Sequence, residues 1–169
     1  PLLSIIVTKR LNNINNNLNG VKVITLDDNR WSRPDIKTTQ LLPNVLAKTE
    51  ANKKGAFEGI FIDSDGYVTE GSSSNIWIIN DNNEIITRAI DGQILSGITR
   101  KTIAQFAKLN NFIVKEKKFK KEELYKSKEV FLTSASSFVT PIINVDDIEI
   151  NDGKIGQTSI NLRNLYFSK

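Results

Sequence analysis

The chain has 169 residues, of which 39% are hydrophobic and 25% charged, values typical of one soluble globular domain and unlike those of disordered or collagen-like proteins. It contains neither cysteine nor histidine, which excludes disulfides, cysteine or histidine chemistry and thiolate or imidazole metal ligands; no metal site is expected. The net charge is +4, and its basic residues are interspersed with acidic residues. No apolar run reaches membrane length or forms a signal peptide. We therefore expect a cytoplasmic protein without a nucleic-acid or membrane partner.

In the first half of the chain, branched and alternating apolar residues predict strands. These predicted strands are Leu2–Thr8, Val21–Leu26, Phe57–Ile62, Tyr67–Thr69, Asn75–Ile79 and Glu84–Thr87. The last four form two hairpins with polar turns. Helical spacing predicts a helix over Leu41–Lys54 that ends at Gly55, with Leu42, Val45, Leu46 and Thr49 on its apolar face and Lys48 on its solvated side.

The second half alternates in the same way. Its predicted strands are Ile113–Val114, Val130–Thr133, Val139–Ile143 and Ile148–Ile150, and its predicted helices run over Thr99–Leu109 and from about Thr158. The resulting fold class is α/β or α+β, a mixed sheet or pseudo-barrel with three flanking helices. Both tryptophans, Trp31 and Trp77, are interpreted as core residues, and the basic run Lys117–Lys121 as a solvated face.

One segment predicts an anion site directly. Gly97, Ile98 and Thr99 stand at the start of a predicted helix, where free backbone N–H groups and the helix dipole attract phosphate. Taken alone, the segment from Ser96 to Thr99 fits an ordinary helix cap better than an anion site. In the same way, Lys37 taken alone fits a surface lysine, and Glu70 fits a turn glutamate.

Four segments together resemble one protein family, in the same order along the chain. They are Asp35–Lys37 with Asn44–Lys48, then Val68–Asn75, then Ile94–Arg100, and last Phe131–Ser137 with Thr140–Pro141. This set resembles the class IV (fold-type IV) pyridoxal-phosphate aminotransferases from about Leu2 to the end of the chain. The run Glu-Gly-Ser-Ser-Ser-Asn that starts at Glu70 is most similar to the D-amino-acid aminotransferases.

The resemblance implies a fold, a cofactor and a reaction. Residues 1–169 would form the large, cofactor-binding domain, and the small N-terminal domain of the family has no counterpart in this chain. The cofactor would be pyridoxal 5′-phosphate, and the partners a small-molecule amino acid and a 2-oxo acid. The amino group of a D-amino acid such as D-alanine would be transferred to the 2-oxo acid, by a protein that is a homodimer at full length.

The resemblance also implies the role of each site residue. Lys37 would bond to the cofactor aldehyde and then move a proton at the substrate carbon, which requires a neutral amine. Glu70 would keep the ring nitrogen protonated, and Arg30 would steady Glu70. The remaining cofactor contacts are expected from Ser73, Ser74, Leu95, Gly97, Ile98, Thr99, Ser134 and Ala135.

Several alternatives stay open on the sequence. The nearest are a branched-chain L-amino-acid aminotransferase and an aminodeoxychorismate lyase, which would use the same scaffold. A non-catalytic domain that binds a ligand or partner belongs to a different class, and would show no absorbance of bound cofactor. Because family residues that hold the substrate carboxylate lie mostly in the small domain, we expect the 169 residues alone to have little or no transaminase activity.

Overall fold

The computed structural model of the protein describes Ile5, Val7 and residues 17–168. Its strands are β1 (Val21–Asp27), β2 (Glu58–Ile62), β3 (Val68–Gly71), β4 (Asn75–Ile79), β5 (Ile85–Thr87), β6 (Val114–Glu116), β7 (Glu129–Ser134), β8 (Phe138–Val145) and β9 (Ile148–Glu149). Its helices are α1 (Leu42–Lys53), α2 (Ile98–Leu109), α3 (Lys121–Tyr125) and α4 (Gln157–Phe167), with a short 3₁₀ turn over Asn151–Gly153. The predicted strand over Leu2–Thr8 lies outside the described residues, apart from Ile5 and Val7.

The strands form one mixed sheet. Within the described residues, its order is β3-β2-β1-β8-β7-β4-β5-β6, and β9 pairs with β8. The two predicted hairpins, β2–β3 and β4–β5, are antiparallel as expected. By contrast, β1 runs parallel to both its neighbours, β2 and β8. The predicted mixed fold with flanking helices is confirmed.

Successive side chains of the central strands are buried on opposite faces of this sheet, because side chains alternate between the two faces of a strand. One face carries a cluster that includes Val23, Ile60, Ile76, Ile78, Val130 and Leu132. The other face packs under α2 and α4 through Trp77, Ile79, Ile103, Ala107, Phe131 and Leu162. Trp77 stacks on Phe131 with 5.5 Å between ring centroids, so the core interpretation of this tryptophan is confirmed.

Helix α1 is oriented differently from the prediction. Its buried residues are Ala47 and Ala51, whereas the face expected to be buried is exposed, with Leu42, Val45 and Leu46 each more than half accessible. The reason is the close approach of α1 to β2, because a Cβ at Gly59 would stand 3.2 Å from the Ala47 carbonyl oxygen. Only small side chains fit between helix and sheet at that distance.

The other helices match the sequence more closely. Helices α1, α2 and α4 lie within one or two residues of the predicted bounds, and α3 was not predicted. The lysines of the run 117–121 are exposed or half-buried around a buried Phe119, in agreement with a mostly solvated face. Within residues 17–168, every helix falls short of the length and apolar character that crossing a membrane would need.

Candidate active site

A cleft of about 580 Å³ lies between the loop after β1, the loop after β3, the start of α2 and the turn after β7. Its volume is within the range of small-molecule sites. All the residues predicted for the site line this cleft: Arg30, Lys37, Glu70, Ser73, Ser74, Leu95, Gly97, Ile98, Thr99, Ser134 and Ala135. Trp31 also lines it and is 40% exposed, so its interpretation as a core residue was wrong.

Glu70, in β3, is the buried carboxylate of the cleft. Its oxygens accept hydrogen bonds from the Leu95 backbone N–H, at 3.0 and 3.1 Å, and from Asn75 Nδ2, at 3.1 Å. Arg30 Nη1 forms an ion pair with the same carboxylate. Three elements of the chain therefore fix the direction of this side chain.

Arg30 is shared between two acids. Its Nε and Nη2 donate to Asp28 at 2.8 and 2.7 Å, while Nη1 contacts Glu70. The guanidinium also stacks over the Phe61 ring, 4.7 Å from its centroid. Thr69 donates to Asp28 at 2.8 Å and completes the network. When both carboxylates are ionised, the group carries one net negative charge at the cleft.

The two carboxylates have opposite pKa shifts. Burial raises the pKa of Glu70 to about 7, against the charge and hydrogen bonds of Arg30 and the Leu95 N–H. Burial also opposes ionisation of Asp28, but the hydrogen bonds and charge of Arg30, with Thr69, outweigh it and hold the pKa of Asp28 below its usual value. Asp28 is thus the fixed anion, and Glu70 the group whose charge responds to what faces it.

The start of α2 lines the cleft as well. Gly97 is the N-cap residue, and in the part of the chain that the structure describes no side chain caps the free N–H groups that follow it. The Thr99 hydroxyl is buried and has no hydrogen-bond partner among the described residues. A Cβ at Gly97 would lie 2.3 Å from Asn75 Oδ1, so only glycine fits here while Asn75 keeps its bonds to Glu70 and Leu95. These are the properties of an anion site.

The turn from β7 to β8 adds hydroxyl groups. Ser134 Oγ accepts the Ser137 backbone N–H at 3.0 Å and lies 2.6 Å from Ser137 Oγ. Arg163 of α4 donates to the Val139 carbonyl oxygen behind the turn. Ser134 and Ala135 face the same cleft as the start of α2.

The two candidate lysines differ in their surroundings. Lys37 is exposed, lines the cleft, and makes no side-chain hydrogen bond or ion pair within the described part of the chain. Lys48 does not line the cleft. Its ammonium donates to the Phe57 carbonyl oxygen, lies 3.8 Å from Glu58 and sits over the Phe57 ring. The expectation of a solvated Lys48 was therefore wrong, because its ammonium lies over an aromatic ring and close to a buried acid.

Sequence reasoning missed three polar residues around the cleft. Asp28 and Asn75 hold Arg30 and Glu70, and Glu58 accepts the hydroxyls of the serine loop. A signal existed for Glu58, since it is a charged residue inside the apolar run Phe57–Ile62. For Asn75, the only signal was its place beside Ser74 at the end of the Glu-Gly-Ser-Ser-Ser-Asn run.

Comparison with known proteins shows which family has this fold and this arrangement of residues. The family model for amino-transferase class IV matches residues 4–145, and the chain belongs to that family. It is 46% identical over 138 residues to the D-alanine aminotransferase of Staphylococcus aureus strain N315 and 42% identical over 145 residues to that of Bacillus licheniformis. The match covers 82% of this chain and 48% of the first relative, and 86% of this chain and 50% of the second.

The fold of this chain is also similar to that of a solved structure. A branched-chain amino acid aminotransferase from T.th., complexed with N-(5′-phosphopyridoxyl)-L-glutamate, is similar with a TM-score of 0.80 and 30% identity. The similarity covers 88% of this chain and 51% of that one. The chain thus spans about half the length of the curated relatives it matches, and this structural neighbour was solved with a phosphopyridoxyl compound as its ligand.

Proposed function

We propose that the full-length protein is a pyridoxal-phosphate-dependent aminotransferase that moves the amino group of a D-amino acid, such as D-alanine, to a 2-oxo acid. Residues 1–169 would be its cofactor-binding domain. One observation carries this proposal: a single cleft combines a buried carboxylate with an amine and a helix N-terminus that have no side-chain partner among the described residues. These groups complement the aldehyde, the ring nitrogen and the phosphate of the cofactor.

The residues present fit the phosphate. The Thr99 hydroxyl, which is buried without a partner among the described residues, would donate to a phosphate oxygen. The N–H groups of Ile98 and Thr99 at the start of α2 would donate beside it, and the helix dipole adds attraction. Ser134 and Ala135 would contact the phosphate from the opposite turn.

The residues also fit the ring. When bound, pyridoxal phosphate supplies a cationic ring that takes up electrons from the substrate carbon as its proton leaves. Glu70 would face the ring nitrogen, and a cation there favours the ionised carboxylate although burial raises the pKa of Glu70 to about 7. Arg30 and Asp28 keep the carboxylate aimed, while Leu95, Ser73 and Ser74 would contact the ring from the sides.

Lys37 is the proposed base. Its amine has no partner that would hold it as an ion pair within the described residues, so it is free to bond to the cofactor aldehyde. Once released, its Nζ would carry the proton between the substrate carbon and the cofactor. Lys48 cannot replace it without breaking its contacts with Phe57 and Glu58.

The choice of substrate rests on the relatives. D-alanine aminotransferases at 42% and 46% identity support D-alanine as the amino donor. Transamination of branched-chain L-amino acids is the second candidate, supported by a structural neighbour at 30% identity and a TM-score of 0.80.

A spectroscopic titration tests the function. The full-length protein loaded with pyridoxal phosphate should lose the visible absorbance of the bound aldehyde on addition of D-alanine, and a 2-oxo acid should restore it. L-Leucine serves as the matched alternative donor. A response to L-leucine alone would assign the branched-chain reaction, and no cofactor absorbance would identify a non-catalytic binding domain.

Glu70→Gln should keep the absorbance but transaminate far more slowly.

We also propose that the full-length protein is a homodimer in the cytoplasm, where 2-oxo acids and the cofactor are available. The apolar face of α1 formed by Leu42, Val45 and Leu46 is exposed, which supports an interface with another chain or domain. Sedimentation of the full-length protein should give twice the chain mass. A monomer at micromolar concentration would contradict this assignment.

A further inference from the structure

Glu58 is a buried carboxylate that serves the cleft without lining it. It lies in β2 with 1% of its surface exposed. Its Oε1 accepts the Ser72 hydroxyl, and its Oε2 accepts the hydroxyls of Ser73 at 2.8 Å and Ser74 at 3.3 Å. One acid thus gathers all three hydroxyls of the serine loop, Ser72–Ser74.

The serine loop is held from the same side by other contacts. Asn44 of α1 donates its side-chain amide to the Ser72 carbonyl oxygen at 2.9 Å, and the Ser72 N–H donates to Gly59 at 2.9 Å. Ser72 and Ser74 are buried, so their hydroxyls need a protein acceptor. Among the described residues, Glu58 is the acceptor that each of them uses.

The loop joins two residues of the cleft. Glu70 precedes it, and Asn75 follows it and returns a hydrogen bond of 3.1 Å to the Glu70 carboxylate. Asn75 also donates to the Leu95 carbonyl oxygen at 3.0 Å. A change in the path of the loop would therefore move Asn75 relative to Glu70, and alter the direction of the carboxylate.

Lys48 provides the countercharge. Its ammonium lies 3.8 Å from Glu58 Oε1, and its hydrogen bond to the Phe57 carbonyl oxygen fixes it there. A buried carboxylate is retained at this position because it has both a cation and three hydroxyl donors. The hydroxyls of Ser73 and Ser74 are then committed as donors, and only their lone pairs and the backbone remain for a ligand.

We infer that Glu58 is a positioning residue for the candidate active site: by accepting the three serine hydroxyls, it fixes the loop that sets Glu70 and Asn75 in the cleft. The inference deepens the proposed function and rests on it for the identity of the ligand. The hydrogen-bond geometry itself does not depend on that function.

The test compares three variants of the full-length protein. Glu58→Leu removes all acceptors, and Glu58→Gln retains one acceptor oxygen without the charge. Glu129→Gln is the matched control for Glu58→Gln, because Glu129 is also buried and accepts the N–H groups of Thr158 and Ser159 at 2.9 Å, and those two residues do not line the cleft, unlike Ser73 and Ser74. The free energy of unfolding in urea is measured for each variant, so that general destabilisation is known.

Two readouts separate positioning from general stability. The first is the dissociation constant for pyridoxamine 5′-phosphate, measured by calorimetry. It should rise about tenfold or more in Glu58→Leu and only about threefold in Glu58→Gln, with Glu129→Gln unchanged. The second is hydrogen exchange of cofactor-free protein, where the amides of 72–75 and of Leu95 should exchange roughly tenfold faster in Glu58→Leu and not in the control.

The outcomes are distinguishable. Equal affinity in Glu58→Leu and Glu129→Gln, or unchanged exchange in the serine loop, would overturn the positioning role. If Glu58→Leu does not fold, Glu58→Gln is judged by the same two measurements. If the wild-type protein binds no pyridoxamine phosphate, the proposed function fails, and the exchange comparison alone still decides the role of Glu58.

Discussion

At the scale of single residues, Lys37 and Glu70 differ in how the chain treats their charge. Lys37 is left without a partner within the described residues, whereas Glu70 is enclosed by Arg30, Asn75 and Leu95. The first arrangement suits a group that must form and break a bond. The second suits a group that must keep one direction.

Reduction with borohydride should label Lys37. The reagent makes the bond between a lysine amine and the cofactor aldehyde permanent, so peptide mapping of the reduced, cofactor-loaded full-length protein identifies the lysine. We expect the pyridoxyl group on Lys37, because Lys48 is held by Phe57 and Glu58. A label found on Lys48 would refute the assignment, and Lys37→Ala should remain unlabelled.

Glu70→Gln should change how the stability of the cofactor-free protein depends on pH. Burial raises the pKa of Glu70 from 4.5 to about 7, so folding favours its protonated form. That contribution is complete below about pH 4.5 and is lost as the pH rises through about 7. Between about pH 5 and pH 8, the wild type should therefore lose on the order of 2 kcal/mol of unfolding free energy relative to Glu70→Gln.

Urea unfolding of both proteins at the two pH values measures this difference. The glutamine variant has no titrating side chain at this position, so the change in the difference between the two pH values reports the titration of Glu70. Parallel pH profiles would show that Glu70 keeps an ordinary pKa in the folded protein.

At the scale of elements, the first turn of α2 combines an anion site with a close packing contact. Gly97→Ala should weaken cofactor binding, since the new methyl group would overlap Asn75 Oδ1, which approaches to 2.3 Å. We expect a loss of about tenfold in affinity for pyridoxamine phosphate, measured by calorimetry. Gly92→Ala is a suitable control because nothing lies within 4 Å of its Cβ position, although its φ of +84° carries some strain. Equal affinity in the two variants would contradict the close contact.

The sequence predicted most of the elements but not all their surroundings. Hydrophobic period identifies a strand or helix, and so β1 to β5 and α2 were predicted close to their bounds. The period does not identify the partner, and the exposed face of α1 is the result: Ala47 and Ala51 approach the sheet while Val45 and Leu46 face outward. The site residues were assigned from a resemblance, whereas Asp28 and Glu58 acquire their roles partly through contacts with Thr69 and Ser73, which lie further along the chain.

At the scale of the whole molecule, this chain spans about half of the length of its curated relatives. We predict that the 169-residue chain alone, supplied with saturating pyridoxal phosphate and D-alanine, has little turnover beside the full-length protein. The contacts to the substrate carboxylate that the resemblance assigns to a small domain would be absent, and each lost charge-assisted contact would weaken substrate binding roughly ten- to hundredfold. A coupled transaminase assay on both proteins provides the comparison. Comparable turnover would place the whole substrate site within these residues.

The placement of β1 between β2 and β8 affects how the sheet can form while the chain is being synthesised. Thr25 of β1 is hydrogen-bonded to Asp146, 121 residues further along the chain. At about 5 to 20 residues per second, a ribosome needs roughly 6 to 24 s to reach the second residue after the first. During this time one edge of β1 has no neighbouring strand to pair with. An unpaired strand edge of this kind is open to pairing with other chains for those seconds.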